Sequence, residues 1–453
     1  MTTARPVQPL EADLLIKGGL VVTVDAQDTL LEGADIAVRG NRIVEIGAGL
    51  VCQAKRVIDA RRKAVLPGFV DVHMHETLMR GFCEDMPLME WLEKICFPKD
   101  RAQQASHSYA GALMNQLEMI RAGITTFVDI WRFPAEGARV AEQSGLRGIF
   151  TPQIIEWPAG AGETLENNRR FVEEWRDRVP GRIFTWFGPH ATYSCSAELY
   201  REVVRLAERY GVGIHTHLAE TRAEVQQINE RYGKSPVEWL DSLGVLGPHT
   251  LAAHCVWLTE KDIQILKQRD VAVAHNPTSN AKTAAGIAPV LELLAQGVRV
   301  GLATDSNLSN NRLDMFAEMK MAALLQRLKQ DDAAALPSRQ ALRMATLGGA
   351  RCVGLGDEIG SLEVGKKADL ILVDLHQPHV WPLAGGETGN LYSHLAYAAS
   401  AADVVTTVVD GQVLMLDRQV LTLDTDMAES VASAQSVDLA KRAWGLDVRP
   451  IKW

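Results

Sequence analysis

The sequence predicts an α/β fold: a (β/α)8 barrel carrying a small β-sandwich built from both ends of the chain. Three observations predict it. Between residues 66 and 357, apolar runs of five to eight residues alternate with amphipathic helical stretches, the pattern of βα units around a parallel sheet. Segments rich in β-formers and punctuated by Gly and Asp flank that region on both sides. Six of the eight apolar runs carry, at or near their C-terminal ends, a His or Asp that chemistry can use.

In chain order, the N-terminal flank holds Leu14–Val24 and Asp35–Arg39, and the C-terminal flank holds Ala368–Leu375 and Val404–Gly411. We assign 1–65 and 358–453 to the composite sandwich and 66–357 to the barrel. The eight barrel runs are centred on Gly68–His75, Ile124–Ile130, Arg147–Ile155, Ile183–His190, Val212–Glu220, Thr250–Trp257, Val271–Asn276 and Val298–Asp305. Helical candidates such as Ser108–Arg121 and Ala197–Tyr210 run up to glycines suited to a helix C′ position. Eight βα units over this length fit a closed barrel, whose active site forms at the carboxyl ends of the strands.

Composition narrows the function classes. A chain of 453 residues with 47% hydrophobic and 23% charged content has ample core. An excess of 56 acidic over 47 basic residues argues against nucleic acid as a partner. The six cysteines, Cys52, Cys83, Cys96, Cys195, Cys255 and Cys352, are scattered without Cys-x-x-Cys pairs, which fits a reducing cytosol. The stretch Met1–Gln8 lacks the apolar centre of a signal peptide, and no apolar run approaches the length of a membrane span. The expectation is a cytoplasmic protein with no membrane partner.

The chemistry starts at Leu66–Glu76, which holds His73 and His75. Side chains two apart on a strand share a face, so both imidazoles can meet one metal ion. Other strand ends supply His190, the His215-Thr216-His217-Leu218-Ala219-Glu220 run, His254, His275 and Asp305. From spacing alone, either His215 or His217 can be the ligand.

These residues resemble the amidohydrolase superfamily, in particular its branch of cytosine, guanine, methylthioadenosine and S-adenosylhomocysteine deaminases and s-triazine chlorohydrolases. The resemblance covers nearly the whole chain. It rests on Pro67–His75, His215–Thr221, Ala253–Val256, His275–Asn280, Thr304-Asp305 and Gly360–Leu370. It implies that His73, His75, His217 and Asp305 bind one divalent metal, zinc or else iron(II), and that Glu220, His254 and Asp305 move protons. Mixed nitrogen and oxygen donors suit such an ion, which lowers the pKa of a bound water towards about 7 and makes hydroxide available for attack on an electron-poor ring carbon. By the same resemblance His215 is a strand-packing residue, His190 touches substrate, and the chain forms a homo-oligomer, dimer or tetramer. His275 reads as a buried histidine bonded to backbone, His249 as an exposed loop residue and Cys255 as core. Glu76 fits either a structural place or substrate contact.

The implied activity is hydrolytic deamination of an amino-substituted nitrogen heterocycle, an aminopurine, aminopyrimidine or triazine. The alternatives on the same site are s-triazine dechlorination and hydrolysis of an amide, urea or thiocarbamate, with a non-catalytic binding protein on the same barrel as a further class. For substrate contact we expect Asp100, His190, Asn307, Ser309 and Trp91. The relatives that bind carboxylate-bearing nucleosides carry a Glu and paired Arg residues. Here Asp100 stands nearest to that Glu, and neither Thr151–Trp157 nor Gly162–Glu166 offers an Arg, which argues against such a substrate. Ser306–Asn311 is similar to the Asn-x-x-Ser-Asn stretch of triazine hydrolases. Met79, Phe82, Trp91, Trp131 and Trp157 can wall a planar ring, or simply pack.

Overall fold

The computed structural model describes residues 10–82, 85–86, 88–385 and 389–449, so Cys83 and Met1–Gln8 lie outside the described residues. The barrel strands run Phe69–Met74, Ile124–Trp131, Arg147–Ile154, a fourth in two pieces (Ile183–Thr185 and Gly188–Pro189), Ile214–Leu218, Thr250–His254, Ala272–His275 and Arg299–Leu302. All pair in parallel. Strands one to four form one sheet and five to eight another. Isolated bridges Phe187↔Ile214 and Ala191↔His217 join the sheets at one seam. At the other, the Asp305 N–H donates to the His73 carbonyl at 2.9 Å and the Thr304 N–H to Asp71 Oδ1 at 3.1 Å.

The helices form where the apolar spacing put them. Ala105–Ala122 ends on Gly123 (φ +79°) and Ala197–Tyr210 on Gly211 (φ +66°), left-handed positions that cost glycine nothing. Their apolar faces cover the outside of the strands in the main core cluster, with Phe127, Phe150 and Phe187 among its largest buried members. Inside, small residues such as Ala253, Ala272 and Ala274 pack with Val70, Val72 and Val128.

The flanking segments build one nine-stranded hydrogen-bonded sheet from both chain ends. Its long strand Leu10–Val22 changes partner along its length, pairing with Cys52–Asp59 over Leu10–Lys17 and with Lys63–Pro67 over Leu20–Val21. The change falls at Gly18 (φ +74°), the kind of bend that lets a strand pass from one layer of a sandwich to the other. Lys63–Pro67 also pairs antiparallel with Leu370–Asp374, which locks the two ends together. The chain then enters the barrel through Gly68, where any side chain would collide with Thr125. A buried ion pair, Arg147 with Asp369 at 3.0 Å, ties the start of the third strand to the C-terminal segment. No helix among the described residues is long and apolar enough to cross a membrane.

Candidate metal centre and active site

The strand ends turn sharply inward at the residues that matter. Ala219, His254 and Asp305 have φ of +51°, +73° and +61°, a left-handed conformation that non-glycine residues adopt at a cost of about 1–3 kcal/mol each. The strain is held by the barrel: Cys255 and Val256 donate to the Leu218 and Ala219 carbonyls, and Asp305 is pinned to the His73 carbonyl.

The hydrogen bonds determine which nitrogen each histidine presents. His75 Nδ1 lies 2.6 Å from the Ile130 carbonyl and His217 Nδ1 lies 2.7 Å from the His190 carbonyl. A carbonyl only accepts, so both Nδ1 atoms carry the proton and both Nε2 atoms are bare. His73 Nδ1 is 2.7 Å from His215 Nε2, and His215 Nδ1 is 2.9 Å from the Leu251 carbonyl. His215 is therefore not simple strand packing, as the sequence suggested, but a hydrogen-bonding partner of His73. His254 Nδ1 faces Asn280 Oδ1 at 2.9 Å, leaving its Nε2 towards Glu220, 3.8 Å away.

The bare atoms converge. His75 Nε2 lies 3.4 Å from His217 Nε2 and 3.4 Å from Asp305 Oδ1, while His73 Nε2 lies 3.5 Å from the same oxygen and has no hydrogen-bond partner. Donors at about 2.0–2.1 Å from a tetrahedral zinc stand about 3.3–3.4 Å apart, so the spacing fits a single divalent ion. Two lone pairs facing each other at 3.4 Å in a dry interior repel, and a cation between them would relieve that repulsion. His254 lies within reach of the same cluster, its ligand atom grouped with those of His73 and His217.

Asp305 is further fixed by Ser279 Oγ, which donates to Oδ2 at 2.5 Å, and by the Ser306 N–H on Oδ1 at 2.6 Å. Burial works to raise its carboxyl, but the surrounding imidazoles of His73, His254 and His75 hold it well below the usual range. Burial pushes the Glu220 carboxyl up to about 7, with His254 opposing. His254 is also buried, yet the Glu220 and Asp305 carboxylates raise it above its ordinary value. Burial keeps His215 and His190 neutral, each pushed down to about 3.

One cavity contains His75, His217, Glu220, His254 and Asp305, and the expected contact residues Trp91, Asp100, His190 and Ser309 line it too. Asn307 does not. Its amide donates to Asn115 Oδ1 at 2.8 Å and the Thr77 carbonyl at 3.1 Å, which turns it out of the cavity and into the loop's own scaffold. Trp131 is on the wall, whereas Trp157 is 63% exposed, and Met79 and Phe82 do not line the cavity but pack in a cluster with its wall residues Leu308 and Trp91. His275 sits buried with neither ring nitrogen bonded, His249 is exposed, and Cys255 is core. Glu76 is buried against Gln116 and Asp129, away from the cavity lining.

The sequence reading missed Lys99, Gln153, Tyr193 and Asn280. Lys99 is buried in the cavity wall, paired with Asp100 at 3.0 Å and 4.2 Å above the Trp131 ring. Gln153 lines the same wall with an unbonded Oε1. The usable signal was position: Gln153 closes the third strand, and Lys99 adjoins a residue already singled out.

Residues 64–414 match the sequence model of the amidohydrolase family. The chain belongs to that family. Among related amidohydrolases, a 5'-deoxyadenosine deaminase from Methanosarcina acetivorans is 44% identical over 436 residues, covering 95% of this chain and 99% of the relative. A 5-methylthioadenosine/S-adenosylhomocysteine deaminase from Pelotomaculum thermopropionicum is 44% identical over 437 residues, covering 95% and 100%. Among solved structures, an adenosine deaminase from Xanthomonas campestris with bound zinc superposes with a TM-score of 0.91 at 33% identity, covering 96% of this chain and 100% of that one. The atrazine chlorohydrolase of Arthrobacter aurescens, complexed with zinc, gives 0.85 at 25% identity, covering 93% and 99%.

Proposed function

We propose that this amidohydrolase is a zinc-dependent aminohydrolase that converts an adenine nucleoside without a carboxylate arm, of the 5'-deoxyadenosine kind, to its oxo product and ammonia. One observation carries the proposal: three bare imidazole nitrogens and the Asp305 carboxylate converge in a cavity that also holds Glu220 and His254 as proton carriers. His73, His75, His217 and Asp305 are the residues to hold the ion. When bound, such an ion lowers the pKa of a water towards about 7.

The chain's own groups do the rest. Trp91, Phe97, Trp131 and Leu308 wall a planar ring and exclude solvent. Glu220, protonated near neutrality, gives its proton to the ring nitrogen next to the amino-bearing carbon. Asp305 Oδ2 and His254 Nε2 take the proton from the attacking water and orient it, with Ser279 and Asn280 fixing their directions. The proton that Asp305 or His254 took from the water then passes to the amine, the C–N bond breaks, the added oxygen gives its remaining proton to the Glu220 carboxylate to become the oxo group, and ammonia leaves. Asp100, His190 and Ser309 are the proposed contacts for the remainder of the substrate, and no Arg lines the cavity among the described residues. We also propose residues 66–357 as the catalytic unit, and a homo-oligomer as the working form, to be read by light scattering.

The likeness to the atrazine chlorohydrolase favours dechlorination as the second reading. Zinc-loaded protein given 5'-deoxyadenosine, S-adenosylhomocysteine and atrazine, with ammonia and chloride followed separately, decides between them. Ammonia released fastest from 5'-deoxyadenosine is the expected result; chloride release without ammonia sinks the proposal.

A further inference from the structure

His215 is a fully buried side chain for which the proposed chemistry has no task. It lies on the fifth strand, yet it joins the sixth strand to the first across the barrel: Nδ1 is 2.9 Å from the Leu251 carbonyl oxygen and Nε2 is 2.7 Å from His73 Nδ1. The carbonyl can only accept, so His215 Nδ1 carries its proton and Nε2 presents a lone pair. His73 Nδ1 must then be the N–H donor. The remaining nitrogen, His73 Nε2, is bare, buried and 3.5 Å from Asp305 Oδ1. His75 and His217 have the corresponding proton held by backbone carbonyls. Only His73, of the three, depends on a side chain for its orientation.

We propose that His215 is a positioning residue of the metal centre: by accepting the Nδ1 proton of His73, it fixes the tautomer and ring plane that offer Nε2 to the ion. The inference rests on the reading of this cluster as a metal centre. Partners of this kind, one bond removed from the ion, typically control affinity by ten- to a hundredfold. His215 is also rigid, because its other nitrogen is anchored to a strand backbone and its ring packs edge-on against His73 with centroids 4.9 Å apart.

The test uses the full chain and reads metal, not turnover. Zinc affinity is measured by competition with a chromophoric chelator, and the visible bands of the cobalt(II) protein report ligand geometry. His215→Phe keeps the ring and removes the acceptor, so zinc binding should weaken ten- to a hundredfold with altered cobalt bands. His215→Gln, whose side-chain oxygen can accept from His73, should recover most of that loss. A folded Phe variant with wild-type zinc affinity and unchanged cobalt bands overturns the proposal. Should that variant fail to fold, nitrogen chemical shifts of His73 in the metal-free wild type decide: protonated Nδ1 supports the assignment, and protonated Nε2 overturns it. Wild-type protein that takes up no zinc sinks the metal centre itself, an outcome distinct from zinc-binding protein indifferent to His215.

Discussion

At Glu220, two effects compete for one proton. Burial favours the neutral carboxyl and His254 favours the carboxylate, and the balance lies at about 7. In the proposed role of general acid, Glu220 would have to enter the reaction protonated. kcat/KM is therefore expected to fall as pH rises through about 7, and Glu220→Gln to lose about 10²–10⁴-fold in rate while zinc content stays at the wild-type level. Lys99 gives a second test at this scale. Lys99→Met leaves Asp100 buried without its counter-ion, so the variant is expected to unfold at lower temperature and, where folded, to show a higher KM with zinc retained. That His73, His75, His217, Glu220, His254 and Asp305 come together was legible in the sequence, because histidines and carboxylates at strand ends have few other reasons to recur. Lys99 was not legible, since a lysine next to an aspartate reads as surface until packing supplies Trp131. Nor was Asn307, whose direction is set by Asn115 and Thr77 from distant parts of the chain.

Among the elements, the strands were found by their apolar runs, but several of the observed ones stop short. The expected run Thr250–Trp257 ends as a strand at His254, because His254 and Cys255 turn left-handed. The fourth run breaks between Thr185 and Gly188, where Phe187 reaches across the seam to Ile214. Periodicity carries no sign of a backbone reversal held by the neighbouring strand. The helix Met315–Gln330 shows how an element is tied to the site's loops. Its Glu318 accepts from the Asn310 amide at 2.9 Å and the Thr278 N–H at 3.2 Å, and burial pushes its carboxyl up to about 8. A carboxyl raised on folding adds stability that is complete below its ordinary value and lost as pH rises through about 8. Thermal unfolding of the metal-free protein should therefore move to lower temperature between pH 6 and pH 9, and Glu318→Gln should remove part of that slope.

For the whole molecule, the ion pair between Arg147 and Asp369 is a buried link between the barrel and the terminal sheet. Both groups are buried and the contact is bidentate, with Nε and Nη2 both on the carboxylate. Removing one partner strands the other charge, so Asp369→Ala is expected to cost about 3–5 kcal/mol, measured by denaturant unfolding with zinc present. The same sheet determines when the protein can finish folding. Lys63–Pro67 is sandwiched between Leu10–Val22 and Leu370–Asp374, so on the ribosome it waits with one hydrogen-bonding edge bare while the entire barrel is synthesised. The emerging chain is thus sticky along that edge for most of its translation, and chaperone demand should peak before Leu370 leaves the exit tunnel.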